Sequence, residues 1–85
     1  MKIYLAHNGF LVIDTGASKK DFNHSLSTPI TIEKVGSQIY ILYNGDRVAK
    51  SDYSQIFQSD GVTPAGATVD LAATYIENLI TVAES

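Results

Sequence analysis

The sequence predicts an α+β fold: an antiparallel β-meander of about five strands with one C-terminal amphipathic helix packed on the sheet. Three observations point there. Two Asn-Gly pairs, Asn8-Gly9 and Asn44-Gly45, each stand between apolar runs. A third pair, Gly36-Ser37, separates Ile30-Thr31-Ile32-Glu33-Lys34-Val35 from Gln38-Ile39-Tyr40-Ile41-Leu42-Tyr43. Beyond residue 68 the apolar positions change to helical spacing. Asn-Gly marks tight hairpins because both central residues of a type I′ turn need positive φ, and a glycine-first pair suits type II′.

A two-residue turn at Asn8-Gly9 pairs Leu5 with Val12 on one face of the first hairpin and Tyr4 with Ile13 on the other. Both faces are then apolar, and such strands are covered on both sides. Residues 15–28 follow with Lys19, Lys20, Asp21, Asn23, His24 and Ser25. They show no periodicity and are expected to form an exposed loop.

In the second hairpin system, two-residue turns bring Ile32, Ile41 and Val48 side by side, flanked by Ile30, Ile39 and Tyr43, as the inner face. The opposite face holds Thr31, Glu33, Tyr40, Leu42, Arg47 and Ala49. Its polar members suit water, whereas Tyr40 and Leu42 suit a neighbour. Residues 47–57 continue as a strand that loses alternation near Tyr53, and residues 59–66, dense in turn formers, reverse the chain.

Thr68 is the expected helix N-cap, with Asp70 in the first turn where negative charge complements the dipole. Val69, Ala72, Ile76, Leu79, Ile80 and Ala83 form an apolar stripe; Asp70, Thr74, Glu77, Asn78, Thr81 and Glu84 form the wet side. An isolated helix of this length is marginal in water, so it must dock on the isoleucine-rich sheet face. Leu71 and Tyr75 widen the stripe towards a subunit contact.

One domain over residues 1–85 is all that this length supports, and it buries only about two-thirds of its unfolded surface. The chain has no cysteine, so neither a disulfide framework nor a thiolate metal site supplements the core. Self-association is the remaining route to further burial. A formal charge of −3 disfavours nucleic acid, whose phosphates need clustered Lys and Arg. The N-terminal residues lack a signal-peptide pattern and no run approaches the ~20 apolar residues of a membrane span, so synthesis in a cytosol without insertion is expected.

No metal or cofactor is expected. His7, His24, Asp14 and Asp21 lack the short spacing of metal ligands, and there is neither a Gly-x-Ser-x-Gly elbow nor a phosphate-binding glycine loop. Phe10-Leu11-Val12-Ile13-Asp14-Thr15-Gly16-Ala17-Ser18 resembles the active-site signature of the retropepsin-like aspartic proteases. That resemblance implies a homodimer in which Asp14 of each copy is catalytic, with Thr15 and Gly16 bracing the loop. The sequence departs from the family where Lys19-Lys20-Asp21 replaces an apolar strand. It also lacks a glycine-rich flap. Asp and Gly are favoured turn residues, so Asp14-Thr15-Gly16 also reads as the end of a strand.

The stretch from Asp52-Tyr53-Ser54-Gln55-Ile56-Phe57 through Thr63-Pro64-Ala65-Gly66-Ala67 to Glu77-Asn78-Leu79-Ile80 is similar to the endings of small bacteriophage virion proteins. The resemblance implies a non-enzymatic structural or capsid-decoration protein, made in the host cytoplasm and resident in the virion. Its partners would be copies of itself and other virion proteins. Tyr4, Ile13, Tyr40, Leu42, Leu71 and Tyr75 are the expected interface residues, tyrosine being favoured at interfaces. The alternatives are the dimeric protease and a generic protein-binding adaptor.

Overall fold

A computed structural model describes residues 1–7, 9–23 and 29–84, leaving Asn8, residues 24–28 and Ser85 outside the description. Among these residues the fold is α+β, but with six strands in two sheets rather than about five in one meander. Sheet 1 has the order β1-β2-β3, from β1 (Lys2–Leu5), β2 (Phe10–Asp14) and β3 (Lys19–Asn23). Sheet 2 has the order β4-β5-β6, from β4 (Ile30–Val35), β5 (Gln38–Tyr43) and β6 (Asp46–Asp52). All strand pairs within the sheets are antiparallel. A 3₁₀ turn (Tyr53–Gln55) leads towards the helix α1 (Val69–Glu84).

Two of the expected tight turns form as read. Asn44 (φ 53°) and Gly45 (φ 86°) connect Tyr43 to its partner Asp46, and Gly36 (φ 63°) opens the turn between the paired Val35 and Gln38. The first hairpin differs. Ala6 N–H donates to the Phe10 carbonyl and Gly9 N–H to the Ala6 carbonyl, each at 2.9 Å, so the hairpin closes at Ala6 and Phe10, with three residues between them and Gly9 at φ 88°. Asn8 of the expected turn lies outside the described residues. The longer loop shifts the register by one: Leu5 faces Leu11, Tyr4 faces Val12 and Ile3 faces Ile13.

Residues 15–28 are not one long loop, because residues 19–23 pair along β2 as β3. Of these only Phe22 is apolar and half-buried, which leaves the strand without an alternating signal. His24 and Ser25 lie outside the described residues. A second correction concerns Val48. Ile41 pairs with Ala49 and Leu42 with Arg47, so Val48 is the extra residue of a β-bulge. It stands 37% exposed instead of joining Ile32 and Ile41, and Ala49 turns to the inner face in its place.

Both sheets and the helix share one core of Ile3, Leu5, Leu11 and Ile13 from sheet 1, Ile30, Ile39 and Ile41 from sheet 2, Ile56, and Ala72, Ala73, Ile76 and Ile80 from α1. The helix thus docks on the isoleucine-rich inner face, as its stripe requires. Thr68 caps it: the Leu71 N–H donates to Thr68 Oγ1 at 3.2 Å and the Ala72 N–H to the Thr68 carbonyl at 3.0 Å. At about 25 cal/mol per Å², each fully buried isoleucine contributes roughly 2 to 3 kcal/mol before chain entropy is set against it. Phe57 N–H donates to the Ile3 carbonyl at 2.8 Å, and the parallel bridge Ile3–Ile56 lets residues 56–57 extend sheet 1 beyond β1.

Candidate interaction surfaces

The expected interface residues fall on three separate surfaces, apart from Ile13. That residue is 7% exposed in the core opposite Ile3, on the face away from Tyr4.

On the outer face of sheet 2, Tyr40 lies between Glu33 of β4 and Lys50 of β6, with Leu42 between Thr31 and Arg47. The Arg47 guanidinium sits 4.3 Å over the Tyr40 ring and also donates to Glu33 Oε1. Lys50 Nζ lies 5.9 Å from the same ring. Two cations therefore flank Tyr40, one of them fixed by an acid. Such pairs contribute little to stability when exposed, but they leave Tyr40 and Leu42 half-buried within their own sheet.

Tyr4 belongs to the outer face of sheet 1. Its ring packs on Gly61 so closely that a Cβ there would stand 3.2 Å from two ring carbons. Asp60 organises that loop: Oδ1 accepts from the Val62 and Thr63 N–H groups at 2.9 Å, and Oδ2 accepts from Thr63 Oγ1 at 2.6 Å. These donors, led by the Thr63 hydroxyl, lower the Asp60 pKa to about 2. Tyr4 is covered by its own chain, which meets the expectation that the first hairpin is packed on both faces.

The third surface is the side of α1 turned away from the core. Leu71 is 57% exposed, Tyr75 half-buried and Val82 73% exposed. With Asn78 between them, these positions advance by four, three and four residues, the spacing of a helix–helix seam. Val82 was missed by reading outward from the core stripe; the same four-three-four count finds it.

Asp14, Thr15 and Gly16 make the turn between β2 and β3. Asp14 Oδ1 accepts from the Gly16 N–H at 2.8 Å, Gly16 has φ 88°, and the Thr15 N–H donates to the Ser18 carbonyl at 2.9 Å. Thr15 Oγ1 accepts in turn from the Ser18 N–H at 3.1 Å. Among the described residues, the side-chain hydrogen bonds of the triplet are all local, as in a side-chain-braced turn. His7 is exposed in the first loop, and no cluster among the described residues has the three His, Asp or Glu groups a metal needs.

Two concavities flank the sheets. A cleft of about 460 Å³ lies where Ile13, Phe22 and Val48 meet Thr15, Ser18 and Lys20. A groove of about 380 Å³ runs between β4 and α1, lined by Ile30, Thr31, Ile32, Glu77, Ile80 and Thr81. Among the described residues, no helix is long and apolar enough to cross a membrane. Protein-family models, curated proteins and solved structures offer no match to the chain.

Proposed function

We propose that this chain is a non-enzymatic structural or assembly protein of a bacteriophage virion, acting through contacts with copies of itself and with other virion proteins. The observation that carries the assembly reading is the outward stripe of α1. A helix already docked by Ala72, Ile76 and Ile80 keeps Leu71 and Tyr75 at seam spacing on another side, with Val82 exposed in the same row. A small core gains most from a second copy, and an apolar helical seam gives that copy a place to pack. Asn78 in the seam favours one alignment over its alternatives.

The virion setting rests on the similarity of residues 52–80 to small phage virion proteins. It agrees with a cysteine-free domain that relies on packing, and with an acidic chain unsuited to holding the genome. On this reading Asp14 serves the β2–β3 turn and no chemistry. Antibody against the chain should label purified particles of the phage that encodes it. Particles that stay unlabelled while lysate from the same infection contains the protein would remove the virion assignment.

A further inference from the structure

The exposed side of β4 has the geometry of a strand acceptor. The two-residue turn at Gly36-Ser37 makes Val35 and Gln38 a hydrogen-bonded pair, and the Asn44 N–H donating to the Pro29 carbonyl at 2.8 Å sets the same phase at the far end. Thr31 and Glu33 therefore direct their main chain to β5. Ile30, Ile32 and Lys34 direct theirs outward, and β4 is an edge of its sheet. No backbone partner from another element meets these three among the described residues.

Beside that edge runs the groove between β4 and α1. Ile32, half-buried, and the almost wholly buried Ile30 and Ile80 supply its apolar walls, and Glu77 is the single charged side chain among the described residues of its lining. At one end Lys34 Nζ is held 2.9 Å from Asp70 Oδ1, so that acid is already paired. The Lys34 pKa is raised by this hydrogen bond and by the charge of Asp70, with a further rise from Glu77, which sets Glu77 in the same field.

We propose that the β4 edge binds an extended segment of a partner protein by strand addition. The segment lays an apolar side chain on Ile32, the half-buried member of the groove wall, and places a lysine or arginine against Glu77. A second copy of the chain is the poorer occupant. Two-fold pairing of β4 with itself would turn the Glu77 side of each helix towards its counterpart, setting like charges together in a chain already at −3. This surface is distinct from the Leu71–Tyr75 seam, so one molecule can engage a copy of itself and a basic partner at once. The inference rests on the assembly reading and names the second partner's chemistry.

The test is selection from a displayed library of random peptides about ten residues long, enough for one strand, on the wild-type chain and on Glu77→Lys. Glu77 is exposed on the helix, so the exchange leaves the core intact. Wild-type selection should enrich peptides with an apolar residue and, at one fixed position, a basic one, and Glu77→Lys should weaken them about fivefold and favour acidic residues at that position. Methylating backbone nitrogens of an enriched peptide should abolish binding. No enrichment, or a charge preference that survives Glu77→Lys, overturns the proposal. Peptide capture by a protein that never enters virions would instead leave strand addition standing and the virion reading lost.

Discussion

The Tyr43 hydroxyl of β5 donates to the Asn23 carbonyl at 2.9 Å while its ring stands 5.2 Å from Phe22, so one side chain joins the end of sheet 1 to sheet 2. Tyr43→Phe removes the hydrogen bond and keeps the ring contact. It should lower unfolding free energy by about 0.5 to 1.5 kcal/mol in urea denaturation, whereas Tyr43→Ala, which also loses the aromatic pair, should cost about 2 to 4 kcal/mol. Equal losses for the two would mean that the ring contact contributes nothing.

Two glycines with nearly the same backbone need should respond differently to alanine. Gly16 (φ 88°) has open space where a Cβ would go, so Gly16→Ala bears only left-handed strain of about 1 to 2 kcal/mol. Gly61 (φ 70°) adds the Tyr4 ring at 3.2 Å, and Gly61→Ala should lower the melting temperature further. The double variant Gly61→Ala, Tyr4→Leu separates the ring clash from the backbone strain, since only the former is relieved.

Acid should loosen the loop at residues 58–64. The folded Asp60 pKa of about 2 lies below its unfolded value, so its contribution is present above about pH 4 and is lost as pH falls towards 2. Amide exchange at Val62 and Thr63 should accelerate across that window. In Asp60→Asn the same amides should exchange with much weaker pH dependence there, once intrinsic chemical exchange is subtracted.

Ser51 is 2% exposed, and its hydroxyl has no hydrogen-bond partner among the described residues. Burying an unpaired hydroxyl costs about 1 to 3 kcal/mol, so Ser51→Ala should be neutral or stabilising. A loss of more than about 1 kcal/mol would reveal a partner for that oxygen.

Asp14→Asn keeps an oxygen that can accept from the Gly16 N–H. Folding and assembly should therefore be retained. If instead the wild type cleaves an unfolded substrate at acidic pH and Asp14→Asn does not, the residue is catalytic and the turn assignment is incomplete.

Much of this fold is legible where one residue type answers one local need. Asn44-Gly45 and Gly36 supply the positive φ of tight turns, Thr68 supplies the cap, and the spacing from Ala72 to Ile80 supplies the docking stripe. Legibility fails where the partner strand decides. β3 carries only Phe22 as an apolar mark and exists because β2 offers it an edge. The bulge at Val48 and the three-residue loop before Phe10 each insert one residue that hydrophobic alternation does not announce. Those two insertions move Val48 out of the core and separate Tyr4 from Ile13. The division into two sheets is equally hidden, since it follows from long-range packing around Ile3, Ile39 and Ile56. Of the candidate surfaces, Leu71 and Tyr75 were readable from helical spacing, while the β4 edge appears only once its hydrogen-bond phase is known.

Sedimentation velocity over a wide concentration range, on the wild type and on Leu71→Glu, tests self-association through α1 most directly. Leu71 is 57% exposed, so the charge should leave the circular dichroism spectrum and melting temperature nearly unchanged. The wild type should shift to larger species as concentration rises, and Leu71→Glu should remain monomeric. A wild type that stays monomeric throughout, or a variant that associates equally well, would contradict the account.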